Sequence, residues 1–467
     1  MNLAEARPAV EPVDMGLPAS FVWDYDRRRP RLTQLYEKSK LSQWNATADI
    51  DWDIDIDPGV LPELGEGLAG VDWGDDLGPI TSVLGSGPEM LHEIISQQHG
   101  WLISQFMHGE QGALVATAKI CAAAESIDDK YYAAAQVADE ARHVEAYQRY
   151  LGKIGIEYPV SPSLHELLNQ VMGHRHVDMT FLGMQILVEG VALAAFSLGT
   201  AMFANPLIGR ITELVRRDEA RHVAFGVLSL QGRYEDMDPV DLREREDFLL
   251  EACALMRDRF QPVQVWEHFG VDVDSASAHF SQSPDMLAFR SLLFSKVVPN
   301  LRKLGLLTPR VRDGFEQLGI LRYERYIDSA TEAGELDPSD LTEAETSDPF
   351  LALRSQLAGI ERIAPEPVLM VLAGLVDRSR LKGLPTSRIR LRVHGVDDGD
   401  WLLRLGEDEV AYAAADLSTE SDVEIGMDVT TWTDIVAGRV NPTAAAMDGK
   451  VTISGDITKA LALEAIL

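Results

Sequence analysis

Asp139-Glu140-Ala141-Arg142-His143 recurs as Asp218-Glu219-Ala220-Arg221-His222. A lone glutamate precedes each motif glutamate by 30 residues: Glu110 before Glu140, and Glu189 before Glu219. A single E-x-x-H is weak, because about one arises by chance in a chain of this size. Two identical pentapeptides with matched upstream glutamates lie far beyond chance. Residues three apart on an α-helix share a face, so the Glu and His of each motif can reach one metal ion. Two antiparallel helix pairs would point Glu110, Glu140, His143, Glu189, Glu219 and His222 at one centre. That set is the donor set of a dinuclear carboxylate-bridged site. Buried carboxylates without counterions are costly, and two divalent cations would neutralise these. Oxygen and imidazole donors without thiolate favour iron or manganese over zinc. The competing reading is a bundle with surface ion pairs such as Glu140–Arg142. Apolar neighbours at Ala113, Leu114, Val137, Val144, Leu193 and Val223 argue against it.

The elements that must carry these residues are legible as helices. Pro88 opens a pattern running to about Ala124; Ser126 and Asp129 resemble the cap of a second helix reaching Leu151, ended by Gly152 and Gly155. A short helical piece at Leu164–Met172 precedes a third long helix, Val177–Phe203. Asn205-Pro206 breaks it, and a fourth continues to Leu230. Two short-linked helix pairs joined by a long crossover are the connectivity of ferritin-like four-helix bundles. Further helices are expected at Val240–Phe260, Met286–Leu304 and Val311–Tyr326. Residues 1–85, rich in Pro, Gly, Trp and Asp, read as an extended segment lying on the bundle, with Asp51, Asp53, Asp55 and Asp57 in solvent. Residues 86–327 form the helical domain. Residues 328–348 hold eight acids and no base and read as a linker. Beyond it, Ile389, Leu391 and Val393 alternate with Arg388, Arg390 and Arg392, a half-buried strand. Strand-like runs follow at Trp401–Leu405, Val410–Ala413, Val423–Val429 and Val451–Ser454, so residues 349–467 read as an α+β domain.

Glycines flank the lone ligands: Gly109 and Gly112 beside Glu110, and Gly190 after Glu189. Each costs about 1 kcal/mol inside a helix relative to Ala. Close helix approach, a local π-bulge or room for a substrate would compensate. The small residues Ala113, Thr117, Gly190 and Ala194 are expected to leave a mostly apolar void.

The net charge of −32 over 467 residues repels phosphate backbones and anionic lipids, so nucleic-acid partners and electrostatic membrane docking are excluded. Cys121 and Cys253 sit in apolar contexts and suit a reducing, cytoplasmic compartment. No export signal is visible, and Phe181–Leu207, interrupted by Gln185, Glu189 and Gly190, is no convincing membrane span.

With its paired D-E-A-R-H motifs, the stretch of about 86–232 resembles the ferritin-like di-iron carboxylate superfamily, its oxygenase and desaturase branches above all. The resemblance implies that Glu140 and Glu219 bridge the metals. Glu110 with His143 would hold one ion, and Glu189 with His222 the other. Asp139 and Asp218 would orient the opposite motif's imidazole, paired in turn with Arg142 and Arg221; simple surface pairing is the alternative. Tyr147, one turn beyond His143, stands where the ribonucleotide reductase small subunit places a radical tyrosine. An inward-facing core tyrosine is the preferred reading, since this chain has Glu110 where the reductase typically has Asp.

The C-terminal region resembles the sterol carrier protein lipid-transfer family through Asp422-Val-Glu-Ile-Gly-Met, Thr431-Trp-Thr-Asp-Ile-Val-Ala-Gly438, Asn441-Pro442, Met447-Asp-Gly-Lys450 and Val451-Thr-Ile-Ser-Gly455-Asp456. A closing amphipathic helix carries Leu461, Leu463, Ile466 and Leu467. The family encloses an apolar tunnel; a packing or dimerisation module, and with it a homodimer, is the alternative. The fold expected is therefore mainly α, a ferritin-like four-helix bundle with extra helices plus a C-terminal α+β sterol-carrier-like domain.

The leading functional expectation is an O2-dependent oxidoreductase using two Fe, with Mn as the other candidate. It would take O2 as co-substrate and hydroxylate, desaturate, N-oxygenate or cleave a small hydrophobic or carrier-bound organic molecule. An external electron donor is required. The alternatives are a ferroxidase, and a lipid-binding protein whose dinuclear site is structural.

Overall fold

The computed structural model describes residues 10–56, 88–202, 205–282, 293–321, 328–332, 362–375, 386–396, 399–406, 410–415, 419–437, 439–440, 442–456, 459–460 and 463. The helices, in chain order, are α1 (Pro30–Leu41), α2 (Pro88–Ala123), α3 (Ile127–Ile154), α4 (Pro162–Gly173), α5 (Val177–Phe181), α6 (Glu189–Met202), α7 (Pro206–Leu230), α8 (Pro239–Asp258), α9 (Val263–Phe269), α10 (Val273–Gln282), α11 (Val298–Lys303), α12 (Pro309–Leu318) and α13 (Ser329–Glu332). A π-helical segment, Leu182–Val188, joins α5 to α6. The C-terminal part holds α14 (Pro365–Leu375), β1 (Ser387–His394), β2 (Asp400–Leu405), β3 (Val410–Ala414), β4 (Val423–Asp428), α15 (Val429–Val436), α16 (Pro442–Met447) and β5 (Val451–Gly455).

The architecture is mainly α, a ferritin-like four-helix bundle with an α+β layer after it. Helices α2 and α3 pack along each other, as do α6 and α7, and α3 meets α7 across the bundle. Proline begins half of these sixteen helices, where its missing N–H is no loss. Gly155 ends α3 at φ 71°, a left-handed conformation that suits Gly. Ser161, Asn205 and Asp238 cap α4, α7 and α8 with side-chain oxygens. Val177–Phe196 is long and apolar enough to cross a membrane, with mean hydropathy 1.7, yet 94% of its most apolar window is buried in the protein. It is a core helix of the bundle, packed on α7 and α8.

Three expectations change. The N-terminal segment is not simply extended: Leu32, Leu35 and Ser39 bury one face of α1 against α3 and α7. Trp52, Ile54 and Ile56 are half-buried and Asp51, Asp53 and Asp55 exposed, but in turns rather than a strand; Asp57 and the rest to residue 87 lie outside the described residues. Ser126 stands at the start of α3 without a side-chain capping bond. The N-terminal arm instead engages the first-turn carboxylates: Asp128 is bonded by Arg27 Nε, Thr33 Oγ1 and the backbone N–H groups of Arg28 and Arg29, and Asp129 by Arg29 and Ser229. At 328–332, where a solvated linker was expected to begin, Asp328, Ser329 and Ala330 are buried and α13 packs on α7. Asp328 serves its own turn, accepting from the N–H of Ala330 and Thr331. Residues 333–361 lie outside the described residues, as do 283–292 and 322–327 of the two later predicted helices.

The sheet runs β3-β2-β1-β4-β5, with β1 parallel to β4 and the other pairs antiparallel. Ile389, Leu391 and Val393 of β1 are buried as the alternation requires. Arg390 is buried too, contrary to it, because Asp400 and Glu424 on the flanking strands cover it. Helix α14 belongs to the apolar core of this layer through Val368, Leu369 and Leu372, and it also lies against α6 of the bundle. Of the closing amphipathic helix, Leu463 is buried; Leu461, Ile466 and Leu467 lie outside the described residues.

Candidate metal centre

The bundle brings all six predicted residues together. Glu110 comes from α2, Glu140 and His143 from α3, Glu189 from the first residue of α6, and Glu219 and His222 from α7. None is more than 5% exposed. Two overlapping groups result: Glu110, Glu140, His143 and Glu219 in one, and Glu140, Glu189 and His222 in the other, with donor atoms in each within 4.8 Å of one another. Glu140 belongs to both. Its Oε2 lies 3.3 Å from His143 Nδ1 and its Oε1 3.1 Å from His222 Nδ1. Glu219 Oε1 is 3.3 Å from His143 Nδ1 and 3.4 Å from His222 Nδ1. Both carboxylates thus lie within 3.4 Å of both imidazoles.

Each imidazole turns Nδ1 inward and Nε2 outward. His143 Nε2 lies 3.1 Å from Asp218 Oδ2, and His222 Nε2 3.2 Å from Asp139 Oδ2. The aspartates therefore hold the ring of the opposite motif, and each is paired with the arginine three residues on, Arg142 with Asp139 and Arg221 with Asp218. Such carboxylates fix ring orientation and raise basicity. Tyr147 is fully buried and tilted against Phe106 and Phe196. Burial, then the Glu110 charge, holds its phenol well above the usual range.

Three residues of this constellation escaped the sequence reading. Trp44 Nε1 donates to Asp218 at 2.7 Å and its ring stacks on His143, centroids 6.1 Å apart. Gln43 Nε2 donates to Asp139 at 3.0 Å while its Oε1 accepts from Arg142. Gln136 Nε2 bridges Glu140 Oε1 at 3.0 Å and Glu189 Oε1 at 2.8 Å. Gln136 stands four residues before Glu140, a spacing that could have flagged it. Nothing local flags Gln43 or Trp44, which arrive on the N-terminal arm.

The glycines have separate reasons. At Gly112 a Cβ would strike Leu168 of α4, and at Gly190 it would come within 3.2 Å of Val297. A π-helical turn, one of the three compensations expected, precedes Glu189, whose N–H reaches Met184 O, five residues back. The expected void is partly filled: Gly190 is covered by Val297, and Thr117 accepts from Gln185 at 3.3 Å.

The donors suit cations. Glu189 Oε2 and Glu219 Oε2 are buried without a hydrogen-bond partner, while Glu140 Oε2 and Glu219 Oε1 face only the imidazole Nδ1 atoms, and all belong to the two converging groups. Crowding shows in the electrostatics. Burial, then the Glu219 charge, raises Glu110 and Glu189 well above the usual carboxylate range. Burial alone would lower His143; hydrogen bonds to Asp218, Glu110 and Glu140 outweigh it and hold it well above the imidazole range. His222 is raised likewise, by Glu140 and Glu219 against burial. Cations must therefore displace protons here. Raised groups stabilise the cation-free chain at low pH and lose that contribution as pH rises through their folded values. Metal-induced stabilisation should consequently be larger at about pH 8 than at about pH 6, with protons released on loading. Melting temperatures with and without Mn(II) at both pH values check this; equal shifts would refute it.

Comparison with known proteins divides the chain. Residues 372–467 match the model of the SCP-2 sterol transfer family. Hydroxysteroid dehydrogenase-like protein 2 of Xenopus laevis is 40% identical over 73 residues, which is 16% of this chain and 18% of that protein. Its Xenopus tropicalis counterpart is 37% identical over a stretch of the same length. The chain thus spans under a fifth of the length of these curated relatives. Among solved structures, an R2-like ligand-binding oxidase with aerobically reconstituted metal cofactor after photoconversion aligns at 18% identity and TM-score 0.38, covering 60% of this chain and 94% of that one. The dimanganese(II)-NrdF of Streptococcus sanguinis aligns at 13% identity and TM-score 0.38, covering 63% and 98%. Residues 372–467 thus match the SCP-2 sterol transfer family, and they follow a ferritin-like bundle whose buried glutamates and histidines form two overlapping groups that share Glu140.

Proposed function

We propose that the chain is an O2-dependent oxidoreductase with two iron or manganese ions, acting on a small apolar organic substrate. The observation that carries this is the pair of overlapping donor groups sharing Glu140, with unpartnered buried oxygens aimed inward. Glu110, Glu140 and Glu219 with His143 would hold one ion; Glu140, Glu219 and Glu189 with His222 would hold the other. When bound, such ions supply redox chemistry with O2 at a site the protein keeps dry and shaped.

The chain's own contribution is positional. Asp218 and Asp139 keep each Nε2 proton on the outer face, so the Nδ1 lone pair points inward. Gln136 fixes the rotamers of Glu140 and Glu189 together. Phe106, Tyr147 and Phe196 pack as an apolar wall on the Glu110 side and exclude water. The C-terminal SCP-2 match supports an apolar substrate, delivered or presented by that domain. An external donor supplies electrons.

The test is O2 consumption by full-length protein loaded with Fe(II), with iron counted before and after. We expect uptake that requires iron and ends with about two ions still bound per chain. Continued accumulation of iron would favour a ferroxidase. Two bound ions without O2 uptake would favour a lipid-binding protein with a structural centre.

A further inference from the structure

Arg259 closes α8 beside the centre and is 4% exposed. A guanidinium has five N–H donors. Among the described residues this one has a single side-chain acceptor, the thioether sulfur of Met256 at 3.7 Å, and the Phe260 ring 4.8 Å away. No carboxylate among the described residues lies within ion-pair reach, although Glu110 acts on it through space and burial pulls it down to about 10. The other buried arginines are matched: Arg245 by Asp178, and Arg390 by Asp400 and Glu424.

Gly109 supplies a second observation. Outside its own helical turn, the only heavy atom of the described residues within 4 Å of a Cβ built there is Arg259 Nη2, at 3.9 Å. Among the described residues, the helix backbone and the guanidinium therefore leave room for a small group next to Glu110. Gly112, one turn on, is pressed against Leu168 instead. Charge counting points the same way. Two divalent cations balance Glu110, Glu140, Glu189 and Glu219; Arg142 and Arg221 balance Asp139 and Asp218; coordinated histidines are neutral. Arg259 is then left as a buried cation with no anion among the described residues, a costly arrangement.

We infer that Arg259 and the space beside Gly109 form the head-group site for a substrate monocarboxylate. This rests on the dinuclear reading above. The guanidinium donates to the carboxylate, and the apolar body of the molecule extends along Met256 toward the edge-to-face pair Phe106–Phe196. The carboxylate sits on the arginine, not on the metals, so the far end of the molecule is free to face the centre.

The experiment is calorimetric titration of full-length, Mn(II)-loaded protein with phenylbutyrate, and with phenylbutanol as the uncharged counterpart, alongside elemental analysis. Wild type should prefer phenylbutyrate. Arg259→Met should weaken it by about thirtyfold or more, the size expected for removing one partner of a buried charge pair, leave phenylbutanol unchanged and keep its metals. Arg259→Lys should restore part of the affinity, and Gly109→Ala should weaken phenylbutyrate by narrowing the space. Undiminished phenylbutyrate affinity in Arg259→Met would put the carboxylate on the metals and overturn the inference while the metal count stands. Loss of metal in Arg259→Met would make the arginine a support for Glu110 and also overturn it. A wild type that takes up no Mn(II) yet binds phenylbutyrate through Arg259 would keep the head-group site and sink the dinuclear reading.

Discussion

Glu140→Ala is expected to empty both metal positions at once. Glu140 turns one oxygen toward His143 and the other toward His222, so its loss removes a ligand from each group. Glu189→Ala is the control, because Glu189 belongs to the second group alone. Elemental analysis should find about two ions per chain in wild type, close to none in Glu140→Ala and about one in Glu189→Ala. Stability follows by linkage. A ligand at a thousand times its Kd stabilises the folded state by about 4 kcal/mol, and that increment should vanish in Glu140→Ala. Without metal the same variant also loses the carboxylate that pairs with His143 and His222, so the metal-dependent increment is read against each protein's own metal-free melt. Full dinuclear occupancy in Glu140→Ala would defeat the bridge assignment.

Asp178→Ala should be the most destabilising single change away from the centre. Asp178 lies in the first turn of α5 and Arg245 on α8, at 1% and 3% side-chain exposure. They meet in a two-point pair, Nε to Oδ2 at 3.0 Å and Nη2 to Oδ1 at 3.1 Å. Burial alone would lower the Arg245 guanidinium, but Asp178 outweighs it and holds it above its usual range. Removing the carboxylate leaves a buried guanidinium short of its partner, which costs about 3–5 kcal/mol. Asp178→Asn, which keeps the shape and one acceptor, should lose less. Thermal or urea melts of the whole chain check the order wild type, Asn, Ala. An Ala variant melting with wild type would show that Glu244, 2.8 Å from Arg245 Nη1, suffices as partner.

Six of the chemistry-bearing residues were legible because their spacing is helical. Glu140 with His143, and Glu219 with His222, share a face by backbone periodicity alone, and each upstream glutamate marks the partner helix of its pair. The strands were legible for the same kind of reason: β-branched and leucine residues at a period of two place Ile389, Leu391 and Val393 on one face. Local rules failed where a distant group won. Ser126 was read as part of a helix cap, yet arginines about 100 residues upstream take the carboxylates of that first turn. Arg390 was read as solvent-facing, yet the strands on either side cover it.

What the chain determined by itself is the identity and pairing of the donors, since two identical motifs on helices can share a centre in few ways. Tertiary structure alone decided the outer layer. Trp44 and Gln43 reach Asp218 and Asp139 from 174 and 96 residues away, through an arm with no periodicity to announce it. Arg259 looks like any arginine at a helix end, where a cation suits the dipole. It becomes distinctive only once α8 sets it against Gly109, because whether a buried charge is matched depends on every element packed around it and not on its neighbours in sequence.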